Sequence, residues 1–321
     1  MGQSNLKEND KMNRIFNMLS VLIVIVVVFV GCASNDQQNT ENKTTDIPVK
    51  NAKNTAENSA NIVSDLKNLI EDDVSMSQTA KYMDDNMKFV TKDDASIMIQ
   101  EFEKAQRTLL PDLQENFNST DIQKKLMEEY KPDFDINKLD DIKDSDLKSL
   151  LVETRDSGYR VETSEGMYYP VINYEFYKKY KLYVNPDISD YIDIMAVESN
   201  RVPLKDAALM IEWNEMLGRA LNQEKFIGNY PESVKVEDMR NILRNYLIIT
   251  LYGSNNTPLF DYETKIMVPK AREAYEAAIK ANIDSKFMKI VSEYIDVIKN
   301  NKYKLTQDVE TFRKAAENTA F

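Results

Sequence analysis

From about residue 59 onward, apolar positions recur at helical spacing. Ile62, Leu66, Leu69 and Ile70 share one face, and Ile97, Ile99, Phe102, Ala105 and Leu109 share another that should end before Pro111. Thr120 is placed to cap a helix running through Tyr130. Ser145 opens one whose Leu147, Leu150 and Leu151 share a face until Gly158 stops it. Further along, Leu209, Trp213, Met216, Leu217, Ala220 and Ile227 make a stripe over residues 205–227. Met239, Ile242, Leu243, Tyr246 and Leu247 make the next, with Met210, Met216 and Met239 reading as core filling. Pro269 suits the first turn of a helix carrying Ala271, Ala274, Tyr275 and Ala278, and Asp284 precedes a last stripe through Ile298. Residues 159–172, YRVETSEGMYYPVI, break this pattern: two short β-prone runs flank Ser164-Glu165-Gly166 and predict a hairpin. The pattern predicts an all-α, multi-helix bundle with one small β-hairpin near residues 159–172.

The first 58 residues follow other rules. Lys7, Lys11 and Arg14 precede an apolar run from Leu19 to Val30, the length of a signal-peptide core and short of the roughly 20 residues that span a bilayer. Residues 33–58 are rich in Asn, Thr, Gln, Lys and Glu, with Ile47 and Val49 their only branched apolar residues, so they predict a disordered tether. Such a coil reaches roughly 30 Å. The expected organisation is a signal peptide over 1–31, a tether over 32–58, an N-terminal helical region over 59–157 and a C-terminal one over 158–321.

Composition narrows the chemistry. Among 321 residues there is no histidine and one cysteine. A Ser-His-Asp triad, a histidine-ligated zinc, a CxxC pair and an intramolecular disulfide are thereby excluded. Seven glycines are few for doubly wound α/β folds, including those of transporter-associated solute-binding lipoproteins. A net charge of −12 opposes nucleic-acid binding. Loss of residues 1–31 removes three cations and two anions, so the remainder carries −13. An anionic bilayer repels such a body, and attachment then falls to a lipid.

The stretch Val28-Phe29-Val30-Gly31-Cys32-Ala33-Ser34 resembles the lipobox of bacterial lipoproteins, with Phe29 where leucine is commoner. The resemblance implies cleavage after Gly31, acyl chains such as palmitate on Cys32, and anchorage at the extracytoplasmic face of the cell membrane. Two acyl chains on one residue hold stably where one binds marginally. The lipid bilayer is thus the first expected partner.

Glu198 stands in Val197-Glu198-Ser199-Asn200-Arg201-Val202-Pro203, near the end of an apolar helix. The Glu-Ser pair resembles the catalytic motif of lysozyme-like lytic transglycosylases, which implies Glu198 as general acid. The resemblance stops there: Arg201 replaces an expected aromatic, and no glycine-containing segment follows Pro203. The alternative is a helix-terminal carboxylate paired with Arg201 or another cation. Two SDLK runs, at Ser64 and Ser145, match the nucleophile–base spacing of penicillin-binding proteins but lack the SDN and KTG companions. Asp133-Phe134-Asp135-Ile136-Asn137 opens like a calcium loop and then departs at Lys138, Asp140 and Asp144, so neither metal nor cofactor is expected.

Tyrosines crowd the hairpin region. Tyr159, Tyr168, Tyr169 and Tyr174, with Arg160 and Glu162, form the candidate binding surface, since tyrosine offers a flat apolar face with a hydroxyl. The alternative places half of these rings in the seam between helical halves. The expected function is a non-catalytic binding or assembly module of the cell envelope, engaging a wall polymer, a peptide or an envelope protein. The competing expectation is an enzyme that cleaves peptidoglycan through Glu198.

Overall fold

Apolar stripes at helical spacing fold into a mostly α architecture with small antiparallel ribbons, in the fold class expected. The computed structural model describes residues 49–129, 134–319 and 321, with side chains from residue 56 onward. The apolar run, Cys32 and residues 32–48 of the expected tether lie outside the described residues.

The first helices are α1 (Val49–Glu71), α2 (Met76–Asn86), α3 (Lys92–Phe117), α4 (Thr120–Glu129) and α5 (Ser145–Asp156). Helix α1 begins inside the stretch expected as tether, because residues 49–58 contain neither glycine nor proline to stop it. Buried Ser59 fastens it to α3: its hydroxyl donates to Asp94 and accepts from the Thr91 amide at 2.9 Å. Pro111 does not end α3, which continues on its exposed side to Phe117. The stripe also turns from the one expected. Ile97 and Leu109 point outward, while Glu103 and Gln106 point inward beside Ile99 and Phe102.

Hairpin strands β1 (Tyr159–Ser164) and β2 (Met167–Ile172) pair from Tyr159↔Ile172 to Ser164↔Met167. Glu165 and Gly166, both at positive φ, form the two-residue turn that matches strand twist. A 3-10 segment, Tyr174–Tyr180, leads to α6 (Pro186–Asn200). The expected helix over 205–227 is shorter. Strands β3 (Leu204–Lys205) and β4 (Ala208–Leu209) form a second ribbon before α7 (Trp213–Asn229), turning through Asp206 and Ala207 at positive φ. Met210, expected in the core, is 45% exposed because it lies in that connection.

Helix α8 (Val236–Tyr252) runs into a third ribbon, β5 (Gly253–Ser254) with β6 (Thr257–Pro258). Then come α9 (Pro269–Ala281), α10 (Lys286–Asn300) and α11 (Gln307–Ala316). The three ribbons meet at their tips. The Ser164 hydroxyl donates to Asp206, the Asn256 and Ser254 donors reach the Ala207 carbonyl at 2.8 Å, and the Asn256 side chain reaches the Asp206 carbonyl at 2.7 Å.

Among the described residues, three clusters of buried side chains hold the fold. One gathers α7 to α11 around Met216, Leu247, Tyr275 and Tyr294. A second joins α1–α3 to the 3-10 segment, α6 and parts of α7 and α8. A smaller one packs Phe117, Leu126, Leu147 and Leu151 under Val161 of the hairpin. Among the described residues no helix is long and apolar enough to cross a membrane.

Candidate functional site

Three places gather chemistry-bearing side chains, and two of them contain residues singled out in the sequence. The first is the last turn of α6. Glu198 Oε2 accepts from the Tyr246 hydroxyl at 2.6 Å and from Arg219 Nη1 at 3.3 Å, and its Oε1 accepts from Gln223 Nε2 at 3.1 Å. Arg219 also donates to the Arg201 carbonyl at 2.8 Å and to Glu215 at 2.6 Å. Glu215, Arg219 and Gln223 follow one another at intervals of four, so one face of α7 delivers all three. Arg201, the expected partner of Glu198, pairs instead with Glu215 at 2.8 Å.

Burial raises the Glu198 carboxyl above the usual carboxylate range, and Tyr246, Arg219 and Gln223 oppose that rise without cancelling it. The carboxyl borders an open groove of about 250 Å³ between α6 and α7. As a potential acid it has a raised pKa and access to a cavity. Against that role, both of its oxygens already accept hydrogen bonds.

The hairpin is the second place, and it divides the expected binding residues. Tyr159 and Tyr174 are buried, so neither offers a ring face to a ligand. Strand alternation turns Tyr159 inward, where its hydroxyl donates to the Gln106 carbonyl at 2.8 Å. The Tyr174 hydroxyl donates to buried Glu103. These two rings belong to the core. Tyr168 and Tyr169 are partly buried; Gln123 brackets the Tyr168 backbone through its amide and carbonyl, at 3.0 and 2.7 Å.

Arg160 and Glu162 are held in an ion pair at 2.8 Å on the other face of the strand, with Lys205 beyond Glu162 and the Ser199 carbonyl accepting from Arg160. Both line a cleft of about 300 Å³. That cleft shares Asn137, Asn173 and Glu175 with a larger one of about 890 Å³. The larger cleft holds Asp84, Arg155, Phe176 and Lys179, whose ammonium lies 4.0 Å from the Phe176 ring centre. Asp135, from the calcium-like run, accepts from the Asn137 amide at 2.9 Å in a local turn; Asp133 lies outside the described residues.

The third place was not foreseen. Glu103 is buried in α3 and receives Arg107 at 2.7 Å, Lys235, and the hydroxyls of Tyr174 and Tyr191, the latter at 2.6 Å. Burial alone would raise its pKa, but Lys235 and Arg107 outweigh burial and bring it down to about 2. It is a centre ionised at neutral pH that joins α3, the 3-10 segment, α6 and the start of α8. The signal lay in the spacing: Ile99, Phe102, Glu103 and Gln106 sit at i, i+3, i+4 and i+7, which puts a carboxylate inside the apolar stripe.

No protein-family model, curated protein or solved structure matches the chain.

Proposed function

We propose that the chain is a bacterial lipoprotein, held at the extracytoplasmic face of the cell membrane by acyl chains on Cys32, and that it acts as a non-catalytic binding or assembly module of the envelope. The observation that carries the binding half is a pair of adjoining clefts, the smaller lined by Arg160 and Glu162 of the hairpin, joined through Asn137, Asn173 and Glu175. Their walls bring carboxylates, cations and amides together with two aromatic residues, Phe134 and Phe176. Such a lining suits an extended polar ligand, a wall glycan or a peptide, better than a compact apolar one. The anchor half rests on the lipobox-like sequence and on a body whose −13 charge gives it no attraction to anionic lipid.

The test uses the full chain in detergent. It should co-sediment with purified cell-wall material or with envelope extract, and Arg155→Ala combined with Lys179→Ala should abolish this without changing thermal unfolding. Unaltered co-sedimentation of the double variant would remove the cleft from the reading. In cells, Cys32→Ser should abolish labelling by a fatty-acid analogue, and labelling that persists refutes the anchor.

A second reading has one observation in its favour: burial raises the pKa of Glu198 at the edge of a groove, as a general acid requires. Release of soluble sugar fragments from cell walls, lost in Glu198→Gln, would establish it. The binding reading expects no release from either protein.

A further inference from the structure

The groove between α6 and α7 has walls of opposite sign. Asp190 and Asp193 stand on α6, and Arg219 and Lys225 on α7. Several of these charges are already matched. Asp193 pairs with Lys181, and Arg219 pairs with Glu198 and with Glu215 outside the groove. Two are not. Asp190 accepts the Tyr230 hydroxyl at 2.8 Å and has no cation within ion-pair distance among the described residues. Lys225 makes neither an ion pair nor a side-chain hydrogen bond among them. An uncompensated carboxylate and an uncompensated ammonium thus share one groove without pairing with each other.

Arg219 is 5% exposed and its Nη atoms are engaged by Glu198, Glu215 and the Arg201 carbonyl, so Lys225 is the cation left for a ligand. Ile194, Val197 and Phe226 supply an apolar seat between the polar walls.

We propose that this groove binds a small zwitterion of α-amino-acid type, its ammonium toward Asp190 and its carboxylate toward Lys225. A lone anion would meet Asp190 uncompensated, and a lone cation would meet Lys225; a dipolar ligand satisfies both walls. The inference is independent of the lipid anchor and of the clefts beside the hairpin.

Calorimetric titration of the full chain in detergent tests it, with L-valine as probe. Saturable binding is expected. Valinamide, which keeps only the ammonium and mimics a peptide N-terminus, and N-acetylvaline, which keeps only the carboxylate and mimics a C-terminus, should each bind at least tenfold more weakly. Asp190→Asn and Lys225→Ala both alter exposed residues; each should weaken valine at least tenfold with unchanged thermal unfolding. Absence of saturable valine binding, equal binding of either half-charged analogue, or wild-type affinity in both variants would overturn the proposal.

Discussion

Glu103 shows how much one residue can organise. Two cations and two tyrosine hydroxyls converge on a carboxylate with almost no contact with water. Its pKa of about 2 lies below the ordinary 4.5, so the folded state favours the charged form. Each tenfold drop in proton affinity on folding is worth ~1.4 kcal/mol, which makes the stabilisation about 3 kcal/mol. It is complete above pH 4.5 and is lost as pH falls from there through 2. Glu103→Gln leaves Lys235 and Arg107 with Asp238, at 3.8 and 3.7 Å, as their remaining carboxylate and should cost about 3 kcal/mol at neutral pH. Denaturant unfolding of the two proteins from pH 7 to pH 2 checks both the loss and its window: the difference between them should shrink on acidification. The position was legible in the helical spacing of α3. The partners were not, since Lys235 and the two tyrosines come from 71 to 132 residues away.

Among elements, helices were easier to read than their ends and ribbons. Asp144, one residue before Ser145, caps α5 by accepting from the Asp146 and Leu147 amides. Ser119 rather than Thr120 accepts from the Ile122 amide, and Ser285 rather than Asp284 caps α10. Adjacent residues with similar oxygens compete for one cap, and packing decides between them. Gly158 ends α5 at φ +75°, as its sequence position indicated.

The β3–β4 and β5–β6 ribbons escaped notice because two-residue strands leave no alternation to detect. Gly253 makes the third ribbon possible. It sits at φ +73°, and an added Cβ would come within 2.4 Å of the Leu259 nitrogen and 2.5 Å of the Thr257 carbonyl oxygen. Both obstacles are backbone. Gly253→Ala should therefore cost at least about 2 kcal/mol, the φ penalty alone being roughly 1–2. A clearly lowered thermal midpoint checks it.

At the scale of the whole molecule, the buried clusters do not divide at the hairpin. The second cluster takes Leu66, Met83, Met98 and Phe102 from before residue 157, and Tyr177, Ile188, Tyr191 and Ile192 from after it. Each buried side chain of this size contributes roughly 1.5–3 kcal/mol, so removing the first four forfeits on the order of 10 kcal/mol, comparable to a domain's whole stability. A fragment of residues 158–321 should keep slow hydrogen exchange in α7–α11, where a separate cluster is complete, and lose it over 174–200. Protection across that region equal to the full chain's would contradict the shared core. Apolar periodicity could identify which faces are buried, but not which faces meet.

The linked ribbon tips invert a common rule of protein engineering. Exposed turns are ordinarily the safest sites for an epitope, a dye or a protease site, because little depends on them. Here the turns at 165, 206–207 and 255–256 tie together segments 42 to 50 residues apart in sequence. A tag inserted there would break these ties, and a reporter needs to sit elsewhere, such as the exposed Ile283 in the short α9–α10 connection.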